Sequence, residues 1–190
     1  MSQSDLHHRL EAILRATPRL MAVMETARQL DLPDWLIFSG AIYQRALNHL
    51  TGRDPDYGVR DYDLGYFDPD TSYEAEDAVI RRVAAAFEPP LREMVEARNQ
   101  ARVHLWFHEK FGEPYTPLAC TAQALARFTT TAFAVGARLE PDGRMTIVAP
   151  FGLEDLFALR LRPNPLRKTG GFQRTAESVL RRWPEAKVTV

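Results

Sequence analysis

One cysteine, Cys120, among 190 residues leaves no partner for an internal disulfide and fits a reducing compartment. Long apolar runs are missing as well. No stretch approaches the ~18 apolar residues that a membrane-spanning helix requires, and the polar segment from Met1 to Arg9 gives no expectation of a secretory leader. The expectation is a cytoplasmic protein with no membrane partner. Excess charge of either sign is absent too: 24 Lys and Arg against 25 Asp and Glu leave a net charge of -1. No global field draws the molecule toward nucleic acid or lipid, so any polyanion site has to be local. Neither a dinucleotide fingerprint nor a P-loop occurs. Lys168-Thr169-Gly170 matches one box of the serine β-lactamases, but the Ser-x-x-Lys that would have to accompany it is missing. Repeats and low-complexity segments are lacking.

What is present suits one compact domain over residues 1–190, since 45% hydrophobic content at this length supports a single sizeable core. Helical spacing of Leu10, Ile13 and Leu14, then of Leu20, Val23, Met24 and Ala27, predicts two helices within an N-terminal region of residues 1–34. A core over residues 35–110 follows. It opens with the apolar run Trp35 to Phe38, read as a buried strand that ends at Ser39-Gly40, and continues with a helix from Ala41 to Leu50. Gly52, Pro55 and Gly58 mark a loop, Asp61 to Phe67 a second strand, Ser72 to Phe87 a helix, and Leu91 to Arg98 a third strand. Asn99 to Phe111 fits strand or helix, with helix preferred after Ala101.

The remainder, residues 111–190, is read as a hairpin and a basic helical segment. Thr121 to Phe128 suggests a short helix capped by Thr121. Thr131 to Leu139 and Met145 to Ala149 form a hairpin across Pro141-Asp142-Gly143, followed by helices at Leu153 to Leu159 and Phe172 to Trp183. Charge is uneven along the chain, with +6 in the last 31 residues and -7 in the first 159. Such asymmetry can orient an anionic ligand, or it marks a solvated arginine-rich face.

Chemistry concentrates in two places. On a strand, Asp61 and Asp63 share a face with α-carbons roughly 6 to 7 Å apart, so their carboxylates can converge on one cation. Gly65 comes next on that face and would leave room for a ligand, while Tyr62, Leu64 and Tyr66 anchor the other. The second place is the turn Phe38-Ser39-Gly40-Ala41, where a helix N-terminus can cradle phosphate or Ser39 can simply cap the helix. His104 and His108 share a helix face, but no third ligand stands at metal spacing.

A strand, a Ser-Gly turn, a helix, a loop and an Asp-x-Asp strand, in that order, resemble the minimal nucleotidyltransferase core of the DNA polymerase beta superfamily. Nearly the whole chain is similar to a family of small bacterial nucleotidyltransferase-like proteins. The similarity rests on Ser39-Gly40-Ala41-Ile42, Asp61-Tyr62-Asp63-Leu64, Glu96 with Asn99-Gln100-Ala101-Arg102 and His104, Pro150-Phe151-Gly152-Leu153, and Arg162-Pro163-Asn164-Pro165. The resemblance implies an α/β (α+β) fold, a mixed sheet packed with helices. It also implies transfer of a nucleoside monophosphate from a nucleoside triphosphate to an acceptor that is a small molecule, RNA or protein. Asp61 and Asp63 would hold Mg²⁺ or Mn²⁺, with Glu96 as a third carboxylate or, alternatively, as an ion-pair partner of Arg98. Ser39, Gly40 and Ala41 would hold the triphosphate, and Asn99 and Arg102 would contact substrate or serve core hydrogen bonding. Two departures stand out: the superfamily carries Gly-Ser or Gly-Gly at the turn, and Tyr43-Gln44 replaces an expected Arg-Asn. A module that binds nucleotide or a partner without catalysis is the alternative class.

Overall fold

A computed structural model describes residues 2–167 and 171–189. Lys168, Thr169 and Gly170 lie outside the described residues. The chain opens with helices α1 (Gln3–Arg15) and α2 (Pro18–Leu30), at the positions their apolar spacing predicts. Ser2 starts α1 through a reciprocal capping box with Asp5, and Pro18 occupies the first turn of α2, where its missing N–H costs nothing. Strand β1 (Leu36–Phe38) then runs into α3 (Gly40–Leu50) through Ser39 alone.

Strand β2 (Tyr62–Tyr66) follows the loop, then α4 (Tyr73–Ala86), α5 (Leu91–Met94), β3 (Val95–Asn99) and α6 (Val103–Phe111). The expected strand from Leu91 is therefore half helix. Pro89-Pro90 supplies helix-starting geometry, and the Arg92 Nε donates back to the Phe87 carbonyl at 2.9 Å, which closes the turn before the strand begins.

Downstream lie α7 (Ala122–Leu125), β4 (Gly136–Leu139), β5 (Met145–Val148), α8 (Glu154–Phe157), β6 (Arg160–Leu161), α9 (Phe172–Arg182) and β7 (Lys187–Val188). Thr121 does not cap α7 with its side chain, because it is already helical (φ -60°, ψ -38°) and an N-cap needs extended geometry. Its N–H donates instead to Asp34 Oδ2 at 2.7 Å. Residues Thr131–Phe133, expected in a strand, form a 3₁₀ turn. The β4–β5 hairpin has the expected turn, with Gly143 at φ 82° and Asp142 Oδ1 accepting from the Arg144 N–H. The pairing of β6 with β7 had no signal in the sequence.

The sheet is mixed, in the order β3-β2-β1-β4-β5. β2 runs antiparallel to β1 and parallel to β3, so the acid strand lies between the strand that feeds the Ser39 turn and the strand at the sheet edge. Strand alternation then sorts the residues. Ile37, Tyr62, Leu64, Tyr66, Ala97, Ala137 and Leu139 join the main core with α1, α2 and α3 residues such as Leu10, Leu20 and Ile42. The opposite face is divided: Leu36 and Phe38 are covered by Leu125 and Phe128, whereas Asp63, Glu96 and Arg98 are not part of that apolar cover. Burying one face under helices and half of the other fixes the strand register, because a one-residue slip would put Asp63 into the core. Among the described residues no helix is long and apolar enough to cross a membrane.

Candidate functional site

Asp61 and Asp63 open onto a cavity of about 450 Å³. Its wall is completed by Ser39, Gly40, Tyr43 and Gln44 from the β1–α3 junction, Gly58 and Arg60 from the preceding loop, and Ser178, Arg181 and Arg182 from α9. Two carboxylates thus face three guanidinium groups across a space suited to a polyphosphate with a cation beside it.

The electrostatics of the acids follow from this placement. Partial burial pushes the Asp63 carboxyl up to about 6, and the negative charges of Asp61 and Glu96 add to the rise, while a hydrogen bond from Ser39 and the nearby Arg98 oppose it. Asp61 is raised as well, by desolvation first and by Glu96 second. Asp61 and Asp63 therefore resist ionisation, a strain that a cation would relieve. Glu96 lies directly opposite Asp63 in the β2–β3 register. Its side chain is 55% exposed and 3.8 Å from the Arg98 guanidinium, so the expected ion pair is present in a loose form. Among the described residues no group of three or more His, Cys, Asp or Glu side chains is disposed to hold a metal. Two carboxylates remain, and Mg²⁺ commonly takes one or two from protein, with phosphates and water supplying the rest.

The turn is more strained than its sequence suggests. Ser39 adopts φ 61° and ψ -145°, a region that side-chain-bearing residues avoid and that costs of order 1–3 kcal/mol. Ser39 does not cap α3 with its side chain; it serves Asp63 instead. Gly40, which needs no positive φ, lies under the Gln44 amide: a Cβ built there would come within 2.7 Å of Nε2. Ala41 is buried and contributes its carbonyl to Arg45 Nη1 at 2.6 Å. Gln44 is only 7% exposed, and its Oε1 has no hydrogen-bond partner among the described residues. Tyr43 stacks on Phe133 with ring centroids 3.7 Å apart, and burial raises its phenol despite contact with Gln44 and Arg182.

Other expected site residues are placed elsewhere. Asn99 is 1% exposed, and its amide is consumed by the backbone of Asp68, Asp70 and Ala101, which locks the ends of β2 and β3 together. Arg102 donates to the Ser72 carbonyl and pairs with Glu76 at 3.4 Å. Neither lines the cavity with the aspartates. The room expected above Gly65 is filled, since a Cβ there would strike the Phe38 ring at 2.3 Å. Arg160 and Arg162 clasp the buried Asp155 at 2.7 and 2.8 Å, and Arg174 lines a separate cavity. The basic segment reaches the acids through Arg181 and Arg182, which are carried there because Trp183, fully buried, donates from Nε1 to Asn48 Oδ1 at 2.8 Å. In the sequence Tyr43 and Gln44 stand out only as a departure from an expected Arg-Asn, and for Arg60 the sole signal is its place next to Asp61.

A family model described as Nucleotidyltransferase matches residues 25–188. The chain belongs to this family. Among solved structures, the nucleotidyltransferase chain is similar to one described as an NMR structure that reveals a CCA-adding enzyme head domain, with a TM-score of 0.73 at 23% identity, covering 94% of this chain and 95% of that one. At that identity the likeness shows the fold, an α/β nucleotidyltransferase-like mixed sheet. No curated protein matches the chain.

Proposed function

We propose that this family member transfers a nucleoside monophosphate from a nucleoside triphosphate to an acceptor, as a cytoplasmic enzyme using Mg²⁺ or Mn²⁺. The observation that carries the reading is the pair of mutually repelling carboxylates, Asp61 and Asp63, opening onto a cavity walled by Arg60, Arg181 and Arg182. Family membership supports nucleotidyl transfer in general terms. The metal, the nucleotide and the residue roles are this proposal's own.

The arginines would hold the β- and γ-phosphates and offset the charge that develops on the leaving pyrophosphate. Backbone N–H groups at the start of α3, from Gly40 and Ala41, would direct the triphosphate toward the acids. Ser39 would hold the Asp63 carboxylate in place. The unpartnered Gln44 Oε1 would accept from a hydroxyl or amino group of the nucleotide. A divalent cation bound by Asp61 and Asp63 would supply Lewis acidity at the α-phosphate. Glu96, exposed opposite Asp63, would take the acceptor's proton or complete the ligand set. Asn99 and Arg102, assigned to substrate by resemblance, would act from a distance by fixing the β2–β3 crossover.

Binding without transfer is the second reading, favoured by the Gln44 amide lying across Gly40. The test compares melting curves with and without Mg²⁺ plus triphosphate, since a ligand of the folded state raises the midpoint. It is paired with transfer of label from the α-phosphate to components of a cell extract. A melting shift that Asp61→Asn and Arg182→Ala abolish, together with transferred label, supports the enzyme. A shift without label in any fraction supports binding alone.

A further inference from the structure

We propose that the groove beyond the β3 edge receives the acceptor, and that the acceptor is the end of a single-stranded nucleic acid. This rests on the transfer reading above and names the substrate class on its second side. β2, which carries Asp63 and directly follows Asp61, lies between β1 and β3. The β1–α3 turn and α9 surround the cavity on one side of Asp63, so in-line displacement at the α-phosphorus leaves the β3 side for the attacking group.

On that side Arg98, two residues along β3 from Glu96 and so on the face that carries Asp63, lines a second groove of about 590 Å³. The groove presents Tyr73, Trp106, Arg102 and Lys110 beside Arg98. Tyr73 is 68% exposed, far more than a ring in a packed role needs. The Arg102 guanidinium lies 5.9 Å from the Tyr73 ring and the Lys110 ammonium 5.6 Å from the Trp106 ring. Each pair offers a plane and a positive charge together, the combination that a base and its phosphate require, and two pairs suit successive nucleotides.

Glu76 and Glu109 also line the groove and offset two of its three cations. Attraction therefore comes from stacking more than from charge, and the salt dependence of binding is shallow. Trp35 and Trp183 are buried while Trp106 is half-buried, so quenching of tryptophan fluorescence reports the groove.

The experiment titrates the intact protein with short single-stranded RNA in the presence of Mg²⁺, following tryptophan fluorescence and, for variants that lose the fluorophore, the anisotropy of labelled RNA. Saturable quenching is expected, weakened about tenfold by Tyr73→Ala or by Trp106→Ala and restored by Trp106→Phe, as loss and return of a stacking platform require. The melting shift produced by Mg²⁺ and triphosphate should be the same in these variants as in the parent. If that shift is absent from the parent itself, the transfer reading falls and the acceptor assignment with it. If the shift is present but RNA fails to bind, or binds equally well to both alanine variants, the groove proposal alone is overturned. Label appearing on protein in an extract freed of nucleic acid also overturns it.

Discussion

Asp63 and Asp155 are both withdrawn from water, yet their surroundings drive them in opposite directions. Asp155, 4% exposed, accepts from the Thr131 hydroxyl and from Arg160 and Arg162. Burial alone would raise its carboxyl, but those three bonds hold it below its ordinary value. Asp63 is raised to about 6, first by burial and then by the neighbouring Asp61 charge, with Ser39 and Arg98 opposing them. One carboxylate is satisfied by the fold. The other stores repulsion, which the proposed cation would relieve. A buried acid that the protein itself neutralises holds structure together, whereas one left with like-charged neighbours marks chemistry.

That contrast can be broken from either side. The largest effect is expected for Asp155→Asn, which strands two arginines and the Thr131 hydroxyl and should destabilise the protein by about 2–3 kcal/mol, read from denaturant unfolding. The figure is held to the low end of the range because both arginines are partly exposed. An unchanged midpoint would remove Asp155 from the fold's support. Asp63→Asn should do the reverse and raise apo stability by about 1–2 kcal/mol at pH 8. Because folding raises this acid, the native state holds its proton more tightly, so stability falls as pH climbs from about 4 to about 6. The gain from Asp63→Asn should accordingly vanish below about pH 4. For Asp155 the sign is opposite: its contribution is present above the ordinary carboxylate value and is lost as acid carries the pH through its depressed one.

The smallest change sharpens the comparison. Ser39→Gly removes a side chain from a positive-φ position and should stabilise the fold by about 0.5–1 kcal/mol. It also deletes the bond that lowers the Asp63 carboxyl, so the Asp63 titration followed by NMR should move further upward. A downward move would show that the hydroxyl does not serve the carboxylate.

Local pattern made part of this arrangement readable in advance. The alternation of Tyr62, Leu64 and Tyr66 against Asp61 and Asp63 requires only a period of two, and the structure buries the first set. Where the answer depended on a neighbouring strand, sequence could not supply it. Gly65 looked like open space, but Leu36 pairs with Gly65 and brings Phe38 onto the same face. The Asn99 amide is polar in either role, and nothing local says that it turns inward to bind backbone. Arg181 and Arg182 read as part of a general basic excess, because their arrival at the acids depends on how α9 docks. The alphabet of the site was visible; the long-range contacts that assemble it were not.

The bond from Trp183 to Asn48 joins residues 135 positions apart. A chain emerging from the ribosome would have its sheet strands paired through Val148 well before α9 is made. Until then the acid pair faces solvent without Arg181 and Arg182, so under the proposed function affinity for triphosphate would have to wait for the last large loop to close. Competence to bind would come late and all at once, with the docking of a single indole.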